Sequence, residues 1–463
     1  MLSDFFVVPR RVFPSGEAFE VSIRARYFQL DFRELRRQGP LYVEWMPDDS
    51  VNLGGDITPR PKGDVTWWNR IEIADDGSDV VRFTLPPQKE GPVVCKLFHK
   101  VGEENPARLI CLLNLYVLDE DLLARRPYRG DCHVHTSYSA CADRKEDPHF
   151  VVAVGRQKGL DFMAVTDHCQ IEGSESVLDF PASIGSDFKV FRGEECHALI
   201  QQVEKRLFFA NLFYPWNHIV NFGGRDGVCR YMNDHFDEYL ADIHAQAETM
   251  DKSLSLNIRL TMATSDWIFD KIHEFGGVAI FAHPFWHSAD KLNLPAPVRE
   301  YILKQAKFDV IELPAQETNV TRSFDEDNVL CSAWWQEACI KAGRILPVIG
   351  DTDSHHAREC LGLNFTIVFS KNDSFDSLAE ALKSGKAVGV SYREGRDLSP
   401  RIWGSFRLVR YAQFLLREYF PEHDELCQAE GNMMLAALRG DVSKEVLAGF
   451  AKNLTQKCFQ KFF

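Results

Sequence analysis

The sequence has no CxxC pair, no long apolar run and no surplus of positive charge. Its 12 cysteines are scattered between Cys95 and Cys458, so neither a disulfide framework nor a cysteine-rich zinc site is indicated. A bilayer span needs about 18 to 20 apolar residues, and no stretch approaches this. The apolar run before Pro9 is only four residues long, too short for a secretory signal. We therefore expect a cytoplasmic protein with no membrane partner.

The charge balance and two missing motifs exclude further classes. The 463 residues include 53 Lys and Arg against 67 Asp and Glu, a formal net charge of −14. Phosphate contacts need a basic face, so long nucleic acid is not expected as a partner. Neither a GxSxG nucleophile elbow nor a P-loop is present, which removes two common hydrolase designs. Hydrophobic residues make up 45% and charged residues 26%, the balance of a folded globular protein.

The chain divides into segments that differ in their predicted secondary structure. Residues 1–118 predict a small all-β, sandwich-like domain, because short strands such as the one carrying Val21, Ile23, Ala25 and Tyr27 on one face alternate with Pro/Gly/Asp-rich turns. The charged segment 119–130 ends in Pro and Gly and predicts a linker.

The remaining sequence alternates between helix and strand. Residues 131–399 contain repeated helix-then-strand units, which predict an α/β domain with a parallel sheet, open or closed into a barrel. A polar, helix-like stretch, 224–262, is typical of an insertion into that plan. Residues 400–463 have apolar positions at helical spacing and predict a C-terminal helical extension.

Histidine is unevenly distributed, with 13 of 15 residues falling between 131 and 356. The polar clusters that follow apolar strands are His133-Val-His135-Thr, Thr166-Asp167-His168, Ala282-His283-Pro284 and Asp351-Thr-Asp353-Ser-His355-His356. The carboxyl ends of parallel strands meet at one mouth, where α/β enzymes place their sites. Alternate residues of a strand share a face, so each H-x-H or D-x-H pair can hold one ion. Imidazole with carboxylate suits zinc, manganese or iron.

Six ordered motifs make the chain resemble one known family. HVHT, VTDH, GEE, WNH, AHP and DSHH resemble the motifs of the PHP (polymerase and histidinol phosphatase) family of metal-dependent hydrolases, over about residues 129–395 of the chain. The resemblance implies a distorted, TIM-like (β/α)7 barrel with two or three divalent metal ions at the strand carboxyl ends.

The resemblance also assigns the ligands. It gives the first metal His133, His135 and Asp353, the second His218 and His283, and the third His168 and His355, with Glu195 bridging two metals. The family's Gly-x-Glu spacing selects Glu195 over Glu194.

One position departs from the family pattern. Cys141 stands where the family often has a histidine, in the loop after the HxH pair. Three interpretations are open: Cys141 ligates as a thiolate, Asp143 substitutes for it, or the third site is weak or empty.

Further residues beside the motifs are candidates for catalysis and substrate binding. Asp167 and His197 are candidate catalytic groups, although Asp167 could instead orient a ligand. Arg358, His356 and His287 are candidate contacts for an anionic substrate. A structural or rim role is the alternative for His197, His287 and His356, and a surface ion pair for Arg358.

Three functions are compatible with these residues. The resemblance implies a phosphoesterase that uses a metal-bound hydroxide on a small phosphorylated metabolite or nucleotide. A hydrolase of carboxylester or carbamate bonds is the first alternative, because the pairs Trp67-Trp68, Phe285-Trp286 and Trp334-Trp335 would suit an apolar substrate. The second is a non-catalytic metal-binding scaffold with the β domain as its binding module. For that domain, carbohydrate binding, shaping of the mouth and homo-oligomerisation all stay open.

Overall fold

The computed structural model describes residues 5–28, 30–47, 68–102, 104–198, 217–288, 291–292, 294–314, 324–393 and 397–463. Trp67 and Trp216 lie outside these residues. The chain forms two compact units: the first comprises Met1–Arg125, Arg410–Glu422 and Gln456–Phe463, and the second Arg126–Val409 and His423–Thr455. Within the described part of the chain, no helix is long and apolar enough to cross a membrane.

The first unit contains two sheets. Its strands are β1 (Phe6–Val7), β2 (Val12–Pro14), β3 (Phe19–Ala25), β4 (Leu41–Pro47), β5 (Asn69–Glu72), β6 (Val81–Leu85), β7 (Gly91–His99) and β8 (Arg108–Leu118). Strands pair in the orders β1-β3-β6 and β2-β8-β7-β4-β5. The predicted alternation holds at Val21 and Ile23, which are buried, but the strand ends at Ala25 and Tyr27 is 58% exposed.

The second unit is a mixed α/β structure. Its strands are β9 (Arg126–Asp131), β10 (Phe162–Ala164), β11 (Lys189–Phe191), β12 (Gly193–His197), β13 (His218–Phe222), β14 (Val278–Phe281), β15 (His287–Ser288), β16 (Lys291–Leu292), β17 (Val310–Glu312), β18 (Val348–Ile349), β19 (Asn364–Ser370), β20 (Ala387–Arg393) and β21 (Asp397–Trp403). They form sheets in the orders β11-β10-β9-β19-β20-β21 and β12-β13-β14-β17-β18, with β15 and β16 as a separate hairpin.

Helices connect these strands and continue to the C-terminus. They are α1 (Phe32–Gln38), α2 (Glu120–Leu123), α3 (Pro148–Gln157), α4 (Glu172–Glu175), α5 (Phe180–Ser183), α6 (Val228–Asp234), α7 (Phe236–Thr249), α8 (Leu256–Glu274), α9 (Ala296–Gln305), α10 (Phe324–Ala342), α11 (Ala357–Cys360), α12 (Phe375–Lys383), α13 (Phe406–Glu418), α14 (Phe420–Leu438), α15 (Lys444–Ala451) and α16 (Leu454–Phe462).

The sequence predicts a parallel sheet, and the sheets of the second unit are parallel only in part. Strands β9, β10 and β11 are parallel to one another, as are β14, β17 and β18. Strand β13 is antiparallel to both of its neighbours, and β19, β20 and β21 also pair antiparallel. The helical hairpin of α7 and α8 lies between β13 and β14 in sequence and returns the chain to the end of the sheet that it left.

Two isolated parallel bridges join the sheets of the second unit. One pairs Val134 with Ser354, and the other pairs His168 with Glu195. Both lie within or directly beside the polar motifs. Backbone pairing therefore fixes the motif residues at the place where the two sheets meet.

Among the described residues, Arg156 is the largest fully buried side chain. On α3, its Nε donates to Oε2 of Glu430 at 2.8 Å, and its Nη1 donates to the carbonyl oxygen of Leu160 at 3.0 Å. Glu430 is equally buried. A buried charge is tolerated only when such partners replace its hydration.

We predict that Arg156→Ala lowers the free energy of unfolding by about 3 to 5 kcal/mol, because Glu430 is left as an unpaired buried charge. Urea denaturation followed by circular dichroism measures the change. The matched control is Arg439→Ala, whose ion pair with Asp441 is 61% and 60% exposed and should contribute about 0 to 1 kcal/mol. Equal shifts in the two variants would contradict the prediction.

Candidate metal centre

The polar motifs come together because each one follows or forms a strand of the second unit. His133 and His135 follow β9, Asp167 and His168 follow β10, Glu195 and His197 belong to β12, His218 opens β13, His283 follows β14, and Asp353 and His355 follow β18. The bridge between Val134 and Ser354 sets the flanking residues of both segments in register. His133 and His135 flank Val134, and Asp353 and His355 flank Ser354, so the bridge brings these four residues close together.

The innermost group consists of His133, His135, Asp353 and Glu195. The Nε2 atoms of the two histidines lie 3.2 Å apart. Oδ1 of Asp353 is 2.9 Å from Nε2 of His135 and 3.3 Å from Nε2 of His133. Oxygens of Glu195 lie 3.4 and 3.5 Å from the same two nitrogens. All four residues are buried, so two imidazoles and two carboxylates face a single point shielded from water.

The Glu195 carboxylate joins this group to two further pairs of histidines. Its Oε1 lies 2.7 Å from Nδ1 of His218 and 3.2 Å from Nε2 of His283. Its Oε2 lies 2.6 Å from Nδ1 of His168 and 3.6 Å from Nε2 of His197. Each oxygen thus faces a different pair, which is the arrangement of a carboxylate that bridges two ions.

This donor set fits divalent cations. Ring nitrogens face each other at 3.3 Å between His218 and His283, and at 2.7 Å between His168 and His197. A neutral imidazole has one nitrogen that donates a hydrogen bond and one that carries a free lone pair. Where several such lone pairs lie close together around one carboxylate, a cation can bind to all of them. Nitrogen and oxygen ligands in this mixture are those of zinc, manganese and iron.

The charges within the cluster favour a cation at the same point. Burial alone would raise the pKa of Glu195, but His218, His168 and His133 hold it well below its usual range. Burial lowers the pKa of His133, yet Glu312, Asp353 and Glu195 outweigh it and hold that pKa well above the usual value. Carboxylates that draw a proton to His133 attract a metal ion equally well.

Glu312 is a functional residue that the sequence patterns did not single out. Its Oε1 lies 2.9 Å from Nδ1 of His133, and its Oε2 accepts a hydrogen bond of 2.7 Å from the backbone N–H of His283. If Nδ1 of His133 donates to Glu312, the Nε2 lone pair points to the metal position. The available signal was that Glu312 ends the apolar strand Val310–Glu312, near the strand ends that most of the other site residues follow.

Asp167 is turned toward the loop after the HxH pair. Its carboxylate accepts hydrogen bonds from the backbone N–H and hydroxyl of Thr136 and from the same groups of Ser139, at 2.6 to 3.0 Å. The Ser139 hydroxyl uses its one proton in the hydrogen bond to Asp167. It therefore accepts a hydrogen bond from Nδ1 of His135, 3.0 Å away. This leaves Nε2 of His135 as a lone-pair donor and gives Asp167 a positioning role.

Cys141, in the loop after the HxH pair, lies beside His168 and His355, the histidines assigned to the third metal. Its Sγ lies 3.1 Å from Nε2 of His168. Burial would raise the pKa of this thiol, but hydrogen bonds with His168 and His355 bring it down to about 7. Asp143, the alternative candidate, instead accepts a hydrogen bond from the backbone N–H of Lys145.

The candidate substrate residues lie beside the cluster in sequence. His287 opens β15, four positions after His283, and His356 immediately precedes α11. Arg358 lies within α11, and its guanidinium stands 4.8 Å from the ring centre of Phe150 on α3. The structure therefore places Arg358 against an aromatic ring outside the ligand groups.

Comparison with known proteins gives the following matches. No family model matches the chain. An uncharacterised protein of Methanocaldococcus jannaschii is 30% identical over 80 residues, which are 14% of this chain and 47% of the relative. The chain thus spans about half the length of the curated relative that it matches.

The solved structures that the chain resembles include a two-domain Bacteroides vulgatus protein containing a predicted PHP-like metal-dependent phosphoesterase, 15% identical with a TM-score of 0.38 over 62% of this chain and 69% of that one. Another is a lesion-specific endonuclease from Pyrococcus furiosus, 13% identical with a TM-score of 0.33 over 72% and 90% of the two chains. A third is an amidohydrolase from Chromobacterium violaceum, 16% identical with a TM-score of 0.31 over 50% and 89%. Assignment of a reaction rests on the site itself.

We predict that Glu195→Gln loses at least one bound metal ion per chain, because this carboxylate faces all three groups of ligands. Metal content after reconstitution with zinc or manganese and desalting, measured by plasma mass spectrometry, tests this. The matched control Asp143→Asn should keep the full complement. Unchanged metal content in Glu195→Gln would contradict the assignment.

We further predict that Glu312→Gln weakens metal binding by about 10- to 100-fold, the usual cost of losing an outer partner of a ligating histidine. Competition with a chelator of known affinity measures the change. Glu359→Gln, an exposed carboxyl group on α11, serves as the control. An affinity equal to that of the control would show that Glu312 does not orient His133.

Proposed function

We propose that the chain is a metal-dependent hydrolase of the PHP family and that it acts as a phosphoesterase on a small phosphorylated metabolite or nucleotide. One observation carries the proposal: a buried glutamate, Glu195, faces histidines contributed by separate strands, in the order of the family's motifs. Ligands held this closely by the fold are characteristic of a metal site used for chemistry.

We also propose that seven strand segments of the second unit close into a barrel. Bridges between β10 and β12 and between the segments that follow β9 and β18 link the two sheets end to end. Taking β11 and β12 as one bent strand, the ring would run β9, β10, β11–β12, β13, β14, β17, β18 and back to β9. This closure supports the distorted (β/α)7 plan, and the reversed strand β13 accounts for the distortion.

In this proposal the residues of the chain divide the work. Two or three divalent ions, held by the histidines and carboxylates of the cluster, would lower the pKa of a water molecule and offset negative charge on the oxygens of the phosphoester. Asp167, through Ser139, and Glu312 hold His135 and His133 in the orientation that ligation needs. Burial lowers the pKa of His197, which favours the neutral form that a general base needs. Its position beside His168 gives it a second candidate role as a ligand.

The substrate class follows from the local charge. The chain as a whole carries a formal charge of −14, but bound divalent ions would offset Glu195 and Asp353 at the site. A compact phosphoester can therefore approach where an extended polyanion would meet an acidic surface. One solved structure similar to the chain is Endonuclease Q in complex with a duplex bearing an abasic lesion, so DNA belongs in the substrate panel.

A specific observation supports ester or carbamate hydrolysis as the second candidate. The Trp286 ring lies 5.4 Å from the ring of His218 and 5.8 Å from that of His283, so an apolar wall stands beside the second pair of ligands. Trp334 packs on Phe285, 5.7 Å between ring centres, and belongs to the core rather than to the site.

We predict turnover of p-nitrophenyl phosphate by the protein reconstituted with zinc, manganese or iron. The panel also contains a phosphodiester, an abasic-site duplex, an aryl ester and an aryl carbamate. His135→Ala and Asp353→Ala should each lower kcat/KM by more than about 100-fold, since ligands matter at least as much as their outer partners. Asp143→Asn is the control.

Each alternative has its own outcome in this panel. Activity confined to the ester or carbamate would reject the phosphoesterase and favour the second candidate. Fewer than one bound ion per chain, with no turnover of any substrate, would favour a non-catalytic scaffold. Cleavage of the duplex alone would replace the small substrate with DNA.

A further inference from the structure

Strand β12 presents a second polar cluster on the face opposite the metal centre. Glu195 and His197 point to one side, so Glu194 and Cys196, which alternate with them, point to the other. Glu194 is fully buried. Its Oε1 accepts hydrogen bonds from Nδ2 of Asn221 and from the backbone N–H of Val228, and its Oε2 accepts one from the backbone N–H of Cys229 at 3.3 Å.

Three thiols from three different segments meet beside this carboxylate. Cys169 follows β10, Cys196 lies in β12, and Cys229 lies in the first turn of α6. The thiol of Cys229 interacts electrostatically with those of both Cys169 and Cys196. Ligand atoms of Glu194, Cys196 and Cys229 all lie within 4.8 Å of one another. All three cysteines are free thiols, and Cys196 and Cys229 are fully buried.

Two features distinguish this cluster from ordinary buried cysteines. Cysteines that only fill space in an apolar core do not need a carboxylate beside them. Here Glu194 is fully buried next to the sulfur atoms. In addition, the thiols of Cys169, Cys196 and Cys229 interact with one another. Several thiols gathered beside one carboxylate are the kind of ligand group that zinc binds.

We propose that Cys169, Cys196 and Cys229, with Glu194 as the fourth ligand, form a separate site for one soft divalent cation such as Zn²⁺. Three sulfurs and one oxygen match the four ligands of a closed tetrahedral zinc site. On binding, each thiol releases its proton to solvent and forms a sulfur–metal bond. No sulfur is oxidised, so the step needs no oxidant.

The site would have a structural effect that is independent of the proposed hydrolase activity. An ion bound to Cys169 and Cys196 would tie the segment after β10 to β12, next to His168 and Glu195. It would hold the back of β12 while the metal centre occupies its front. The proposal stands on the thiol cluster alone and does not depend on the reaction at the other face.

Cadmium loading tests the proposal, because a cadmium–thiolate bond absorbs in the ultraviolet and cadmium bound only to histidine and carboxylate does not. The reference protein is Cys141→Ser, which removes the thiol of the metal centre. We expect a charge-transfer band that saturates with one cadmium ion per chain. In this background, Cys169→Ser, Cys196→Ser and Cys229→Ser should each reduce the band, whereas Cys339→Ser, a single buried thiol elsewhere in the unit, should leave it unchanged.

A second measurement removes the dependence on the folding of the variants. X-ray absorption spectroscopy of the zinc-loaded reference protein should show sulfur neighbours at about 2.3 Å beside nitrogen and oxygen neighbours at about 2.0 to 2.1 Å. Absence of sulfur neighbours and of the cadmium band would overturn the proposal. A disulfide among the three residues in protein purified under reducing conditions would overturn it as well.

Discussion

A buried carboxylate that must be neutralised dominates the second unit. Glu195 has no exposed surface, and transfer of an isolated carboxylate from water to such a site is prohibitively unfavourable. The surrounding imidazoles hold its pKa well below the usual range, so it remains ionised. Histidines from several strands must therefore stay close to it, which ties the ends of those strands to one point.

The same requirement explains why the motifs lie where the sheets meet. A histidine held at a strand end has a fixed backbone, and one outer hydrogen bond then sets its ring. Ser139 performs this task for His135, and Glu312 does so for His133. Without these hydrogen bonds, the imidazole rings could rotate and their ring nitrogens would no longer face the metal position.

Local patterns in the sequence predicted the members of the cluster better than its framework. The HxH and DSH motifs indicated that His133, His135 and Asp353 lie together, because each motif directly follows an apolar strand and the ends of neighbouring strands lie close to one another. The antiparallel course of β13 was not predictable in the same way, since strand direction depends on the path of the helical hairpin that follows it. Glu312 escaped notice because a single carboxylate at the end of a strand has no partner within its own motif.

Strand β12 shows how one segment can serve two polar environments without mixing them. Its alternation places Glu195 among imidazoles and Glu194 beside thiols, and the backbone between them belongs to the sheet. Imidazole groups collect on one face and thiols on the other, with one glutamate on each. Because hard and soft donors favour different metals, this separation would allow the two faces to hold different ions. Cys141 is the exception, since it brings a sulfur atom to the face of the imidazoles. Its thiol could change which metal binds at the neighbouring His168 and His355.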